Sequence, residues 1–167
     1  MSEQTEKGYH QLLNSWVNGA MRSHAYIMGV KQLKAFVKGA SEVVAKTFIE
    51  QIIGGIDKIK GAKDIPGAMT AYADLETASG ILPSGHTSLE ANGDEITATF
   101  TDCPYATPCS EILGELIASG QLDKERFPCI RADVLLAVAK ISSERNGTYE
   151  LVQYSTGVKC KIKMTIL

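Results

Sequence analysis

Four cysteines carry most of the chemistry open to this 167-residue chain: Cys103, Cys109, Cys129 and Cys160. All lie in its second half. Cys103 and Cys109 bracket Pro104-Tyr105-Ala106-Thr107-Pro108, and Cys129 follows Pro128 directly. That places Cys109 and Cys129 in the first turns of two helices, where free N–H groups and the helix dipole favour a thiolate. Cys160 falls on an alternating run and is expected to point inward from a strand. Thiols converging from such positions could ligate a metal ion, zinc being favoured by a thiolate-rich set. One could equally be a reactive nucleophile, or all could be small core residues. The chain has no Cys-x-x-Cys pair, so spacing leaves the three readings open.

Asp133 stands four residues beyond Cys129, hence on the same helical face. A thiol and a carboxyl so placed can handle a polar substrate atom. Cys129 and Asp133 are therefore a candidate catalytic pair, against the plainer reading of Asp133 as a solvated or paired acid. Asp102 could cap the turn before Cys103. His86, in Gly85-His86-Thr87, is the histidine best placed to join the cysteines. His10 and His24 have no His, Cys or acidic partner one turn on and read as surface or core-edge residues.

The elements that must position these groups divide the chain in two. Residues 1–82 read as helical. Tyr9, Leu12, Leu13, Trp16, Val17 and Ala20 recur at three- and four-residue steps, and Ile27, Val30, Leu33 and Val37 continue the stripe, with Gly29 able to kink or split it. A second helix is expected from Gly39 or Ser41 to Gly61, with Val43, Val44, Phe48, Ile52, Ile53, Ile56 and Ile59 inward. Asp64 and Pro66 open a third, which ends before Gly80. Trp16, Tyr9, Tyr26, Phe36 and Phe48 could roof an apolar pocket. The apolar positions of the first helix exceed one narrow stripe, which points to a homodimer.

Residues 85–167 mix strands and helices. Asn92-Gly93 favours a type I′ hairpin. Ile96, Ala98 and Phe100 then alternate with threonines. Two short helices follow, opened by Thr107-Pro108 and by Pro128. Asn146-Gly147 turns into a strand, and Ser155-Thr156-Gly157 turns into the last one. There Val158, Cys160, Ile162, Met164 and Ile166 face inward, and Lys159, Lys161 and Lys163 form the wet face of an edge strand. The fold class is α+β in a single domain: N-terminal helices packed on an antiparallel sheet of about four strands, with two further short helices between strand pairs.

Composition removes several classes. With 44% hydrophobic and 22% charged residues the chain is not disordered. Seventeen Lys and Arg against 19 Asp and Glu leave a net charge of -2, without the basic excess of a nucleic-acid binder. The start, Met1-Ser2-Glu3-Gln4-Thr5-Glu6-Lys7, lacks the basic and apolar regions of a secretory signal. No run approaches the ~20 apolar residues of a membrane span. The expectation is a cytoplasmic protein whose cysteines are not in disulfides.

Three elements together carry a family resemblance: Cys103-Pro104, Cys129 with Asp133 four residues on, and Gly157 with Cys160 entering the final strand. This resembles the 4-vinyl reductase-like domains and the L-2-amino-thiazoline-4-carboxylate hydrolase-like proteins, branches of one α+β fold shared with TRAPP-type Golgi transport subunits. It covers residues 85–167 by motif and the helical half by layout. The first branch implies a pocket for a small, largely apolar (hydrocarbon-like) molecule between helices and sheet, and its metal-binding sensor domains a cysteine zinc site. Gln153 stands where those sensors carry a second cysteine, and Val158 where an acid is common. The second branch implies a hydrolase of a small cyclic, thiazoline-like substrate, worked by Cys103, Cys129 and Asp133. The third implies a protein-interaction module.

Overall fold

The structure, a computed structural model, describes residues 3–52, 54–106, 109–123, 126–155 and 159–167. Thr107-Pro108, Ile53 and Thr156-Gly157-Val158 lie outside the described residues, as do the side chains of Tyr9, His10, Leu13 and Ile52.

Six helices among the described residues pack on one four-stranded antiparallel sheet. Helix α1 (Glu3–Met28) ends at Gly29, whose φ of +85° suits glycine and breaks the stripe. Helix α2 (Val30–Thr47) starts immediately after and runs through Gly39 and Ser41, where sequence reasoning placed a boundary. Its inward stripe is Leu33, Val37, Ser41 and Ala45. Val43 and Val44, expected inward, are exposed. A π turn (Phe48–Ile52) extends α2; α3 (Ile56–Lys60) stops at Gly61. In α4 (Ile65–Ala78) the Asp64 carboxylate accepts the Gly67 N–H at 2.8 Å, the expected cap, with Pro66 in the first turn.

Strands β1 (Thr87–Asn92) and β2 (Glu95–Thr101) form the expected hairpin. Its loop is Gly93-Asp94, and positive φ falls on Gly93 alone. That is the type II′ pattern, not the type I′, which needs two such positions. A second π turn (Cys109–Leu113) leads into α5 (Gly114–Ala118), and α6 (Ile130–Ser143) follows. β3 (Gly147–Ser155) and β4 (Lys159–Ile166) close the sheet, with a bulge in β3 between Leu151 and Gln153.

Strand order is β1-β2-β4-β3. The lysine row therefore rides on an inner strand, not the expected edge, because β2 of the first hairpin pairs along β4. Lys163 answers Glu95 on β2 at 2.6 Å. Ile96, Ala98, Phe100, Ile162, Met164 and Ile166 face the core. Helix α6 lies within that core: every residue from Arg131 to Ala139 is buried. α2 and α4 pack against α6, and α1 packs chiefly on α2. A helix enclosed on all sides reads as apolar all round, so Arg131 and Asp133 are the residues that need explanation. No described helix is long and apolar enough to cross a membrane.

Candidate functional site

The four cysteines meet. Asp102, at φ +52°, turns the chain out of β2. Cys103 then accepts the Ala106 N–H at 2.9 Å, and Tyr105 accepts the Cys109 N–H at 3.0 Å. Cys129 is the extended N-cap residue of α6, one position earlier than expected, and its carbonyl accepts the Asp133 N–H at 2.9 Å. Cys160 pairs with Phe100 on one side and Tyr154 on the other. All four line a single cavity of about 20 Å³ together with Phe100, Phe127 and Tyr154. That is room for one water or one ion.

Burial pushes every one of these thiols up. Cys129 reaches about 12, and Cys109, raised by burial and then by its neighbouring thiols, stands well above the ordinary thiol range. Cys103 and Cys160 shift the same way for the same first cause. Burial thus opposes the thiolate expected at Cys109. In donor chemistry the set suits a soft ion. In arrangement, no three His, Cys, Asp or Glu side chains among the described residues are disposed to hold one.

Asp133 is buried and shares a partner with Cys129. The Tyr149 hydroxyl donates to Asp133 Oδ2 at 3.0 Å and accepts the Cys129 N–H at 2.8 Å. Lys34 of α2 donates to the Tyr149 carbonyl at 3.1 Å, with its ammonium 4.1 Å from the ring centre. Burial raises the Asp133 carboxyl to about 7, against the Tyr149 hydrogen bond and Lys34 and Lys38, which lower it.

His86 does not line the thiol cavity. It is buried beside the Arg131–Glu76 pair, and burial and then the Arg131 charge lower its pKa, leaving a neutral imidazole. Arg131 holds Glu76 in a fork at 2.5 and 2.6 Å and reaches Thr87 at 3.2 Å. Sequence reasoning missed Arg131, Glu76 and Tyr149. The available signal was Arg131-Ala132-Asp133, two charges inside an otherwise apolar helix.

A second cavity lies between α1 and α2, not against the sheet where the apolar pocket was expected. It measures about 290 Å³ and is almost wholly apolar. Met21, Val37 and Ser41 are its buried residues, Ala20 and Ala40 flank it, and Trp16, Phe36 and Val44 stand exposed along it. Phe36 stacks on His24 at 4.2 Å. Ser41 and Tyr105 are the polar side chains in the lining. Of the aromatic residues expected to roof a pocket, Trp16 and Phe36 do so. Tyr26 is exposed elsewhere, and Phe48 packs edge-on against Tyr72 at 6.1 Å. The two cavities share walls. Cys103 and Ala106 face the thiols while Tyr105 lines the groove, and Cys129 faces the thiols while Ile130 lines the groove.

The chain matches no protein-family model and no curated protein. Solved structures share its fold. The phenol-responsive sensory domain of the transcription activator PoxR, with phenol, superposes with a TM-score of 0.61 at 7% identity, over 92% of this chain and 74% of that one. Subunit 3 of a trafficking protein particle complex from Naegleria fowleri, covalently bound to palmitic acid, gives 0.56 at 10% identity, over 94% and 96%. The α+β fold expected from the sequence, including its likeness to a TRAPP-type subunit, is the fold observed.

Proposed function

We propose that this chain is a small-molecule-binding domain of 4-vinyl reductase-like type, which takes a small, largely apolar ligand between α1 and α2. The observation that carries this reading is the groove itself: about 290 Å³, apolar, with Ser41 and Tyr105 as its polar side chains. Drug-sized sites begin at about 300 Å³, so the volume suits a short chain or a ligand of up to a few rings. Two proteins of the same fold support it, one holding phenol and the other palmitic acid. The test is titration with the uncharged fluorophore N-phenyl-1-naphthylamine. Saturable binding to the native chain, abolished by Ala40→Trp with the far-ultraviolet spectrum unchanged, is the expected result. Binding that ignores Ala40→Trp, or no binding, removes the reading.

A second component, a soft ion such as zinc, is suggested by the donor chemistry of Cys103, Cys109, Cys129 and Cys160 around one cavity and would require these side chains to turn toward it, since no three of them are disposed to hold an ion as they stand. Metal analysis and thiol titration, on protein purified without chelator, test it. Stoichiometric metal with thiols released only by chelator supports the component, and metal-free protein discards it. A hydrolase using Cys103, Cys129 and Asp133 is the weaker alternative, because a thiol near 12 is almost entirely protonated at neutral pH.

A further inference from the structure

We infer that the α1–α2 groove takes an uncharged ligand head first, with one hydrogen-bonding group turned inward to Tyr105 and Ser41. The inference rests on the reading of that groove as the ligand site and adds which end enters and which ligands are refused.

Polarity in this groove runs opposite to that of an ordinary surface cleft. Its rim is apolar: Trp16 is 73% exposed, and Phe36 and Val44 are exposed with it. Its polar side chains lie deeper, Ser41 on α2 being 3% exposed and Tyr105 half-buried. A ligand that enters polar end first meets hydrogen-bonding partners at the floor and lays its apolar body along the aromatic rim. One that enters the other way sets hydrocarbon against the floor hydroxyls, and a polar group covered without a partner is costly.

The chain around Tyr105 is pinned. The Tyr105 carbonyl accepts the Cys109 N–H at 3.0 Å, and the Cys103 carbonyl accepts the Ala106 N–H at 2.9 Å. Behind the phenol stands the buried Arg131–Glu76 fork. Arg131, the Cys103 thiol and Glu76 all act on the Tyr105 hydroxyl, and Glu76 is hydrogen-bonded to the Tyr72 hydroxyl. Burial holds the Tyr105 phenol above its ordinary range. At neutral pH it keeps its proton and can both donate and accept.

Charge decides what is refused. None of the described residues lining the groove is charged. Arg131, the cation that acts on Tyr105, is held by Glu76 at 2.5 and 2.6 Å, and the two charges cancel. Lys34 of α2 is turned to Tyr149 on β3. A carboxylate or ammonium head would lose its water there and gain no counter-ion. An alcohol, ketone or amide head gives up less water and is paired.

Three competitors of one skeleton test this: 2-naphthalenemethanol, 2-methylnaphthalene and 2-naphthoate, each displacing N-phenyl-1-naphthylamine from the native chain at pH 7. The alcohol is expected to displace at about two- to tenfold lower concentration than the hydrocarbon, the range one net hydrogen bond supplies. The carboxylate is expected to need at least tenfold more than the alcohol. In a groove without a head contact the hydrocarbon, being more apolar, would be the stronger of the first two. Tyr105→Phe removes one oxygen and keeps the ring; with the far-ultraviolet spectrum unchanged, it is expected to cancel the alcohol's lead. A hydrocarbon that matches the alcohol overturns the inference, as does a carboxylate that matches it or a lead that survives Tyr105→Phe. In each of these cases displacement that stays sensitive to Ala40→Trp leaves the ligand site standing. A probe that does not bind, or binds regardless of Ala40→Trp, removes the site and the inference together.

Discussion

The Tyr149 hydroxyl donates to Asp133 across 3.0 Å while accepting the Cys129 N–H across 2.8 Å, so one phenol ties the first turn of α6 to strand β3. This carboxyl is held up at about 7 by burial. Its ordinary value in an unfolded chain is about 4. Between those limits the folded protein binds a proton that the unfolded chain has released. Its contribution therefore favours folding at low pH and is lost as pH rises through about 7. Asp133→Asn should remove that dependence. The stability difference, wild type minus variant, should fall by up to about 4 kcal/mol between pH 4 and pH 8, at about 1.4 kcal/mol per pKa unit. Urea denaturation at stepped pH measures it; parallel curves would mean an ordinary solvated carboxyl.

Cys129, the buried thiol of the four, should react slowly. With Cys129 near 12, about one molecule in ten thousand carries its thiolate at pH 8. In native protein given a chromogenic disulfide, Cys129 should be modified far more slowly than in denaturant. A fast phase that accounts for all four thiols would place Cys129 in solvent.

Arg131 and Glu76 are both buried and paired as a fork. Removing one partner leaves a charge without compensation. Arg131→Met should destabilise by about 3–5 kcal/mol. Adding Glu76→Leu should recover most of that loss, because an apolar pair of similar volume needs no compensation. Thermal melts of the single and double variants decide it, and equal losses in both would show that the pair carries no coupled charge.

Gly147 opens β3 under α6. A Cβ there would lie 2.7 Å from Leu136 Cδ2 and 2.9 Å from the Thr165 carbonyl. Gly147→Ala should cost about 1–3 kcal/mol. Leu136→Ala should relieve part of it, so the double variant should lose less than the sum of the singles. Strict additivity would place the strain at the carbonyl alone.

The elements that read cleanly in the sequence were those whose signal is local. The Asp64 cap, the inward alternation of Ile96, Ala98 and Phe100, and the period-2 pattern of β4 each need only a few neighbouring residues. The α+β class follows from them. The misplaced features depend on what packs from elsewhere. The inner position of β4 is decided by β2, and the exposure of Val43 and Val44 by where α1 and α6 lie. At the site, the cysteines were visible as a set, but their meeting point was not. It is made by a β2 exit, a helix cap and a strand distant in sequence. Tyr149 and Glu76 gave no signal of their own, since each acquires its role from a residue on another element.

The β2–β4 pairing joins Glu95–Thr101 to Lys159–Thr165, the longest-range seam in the sheet. Each hairpin can zip locally, but this seam must close a long loop, an entropic cost that makes such contacts slow to form. Cys103 leaves one side of the seam and Cys160 sits on the other. Until it closes, the thiols have no shared shelter and stand open to oxidants. Time spent waiting for this one strand pairing is therefore time in which Cys129 lacks its cover. Once folded, Cys129 is buried and Cys103, Cys109 and Cys160 are half-covered.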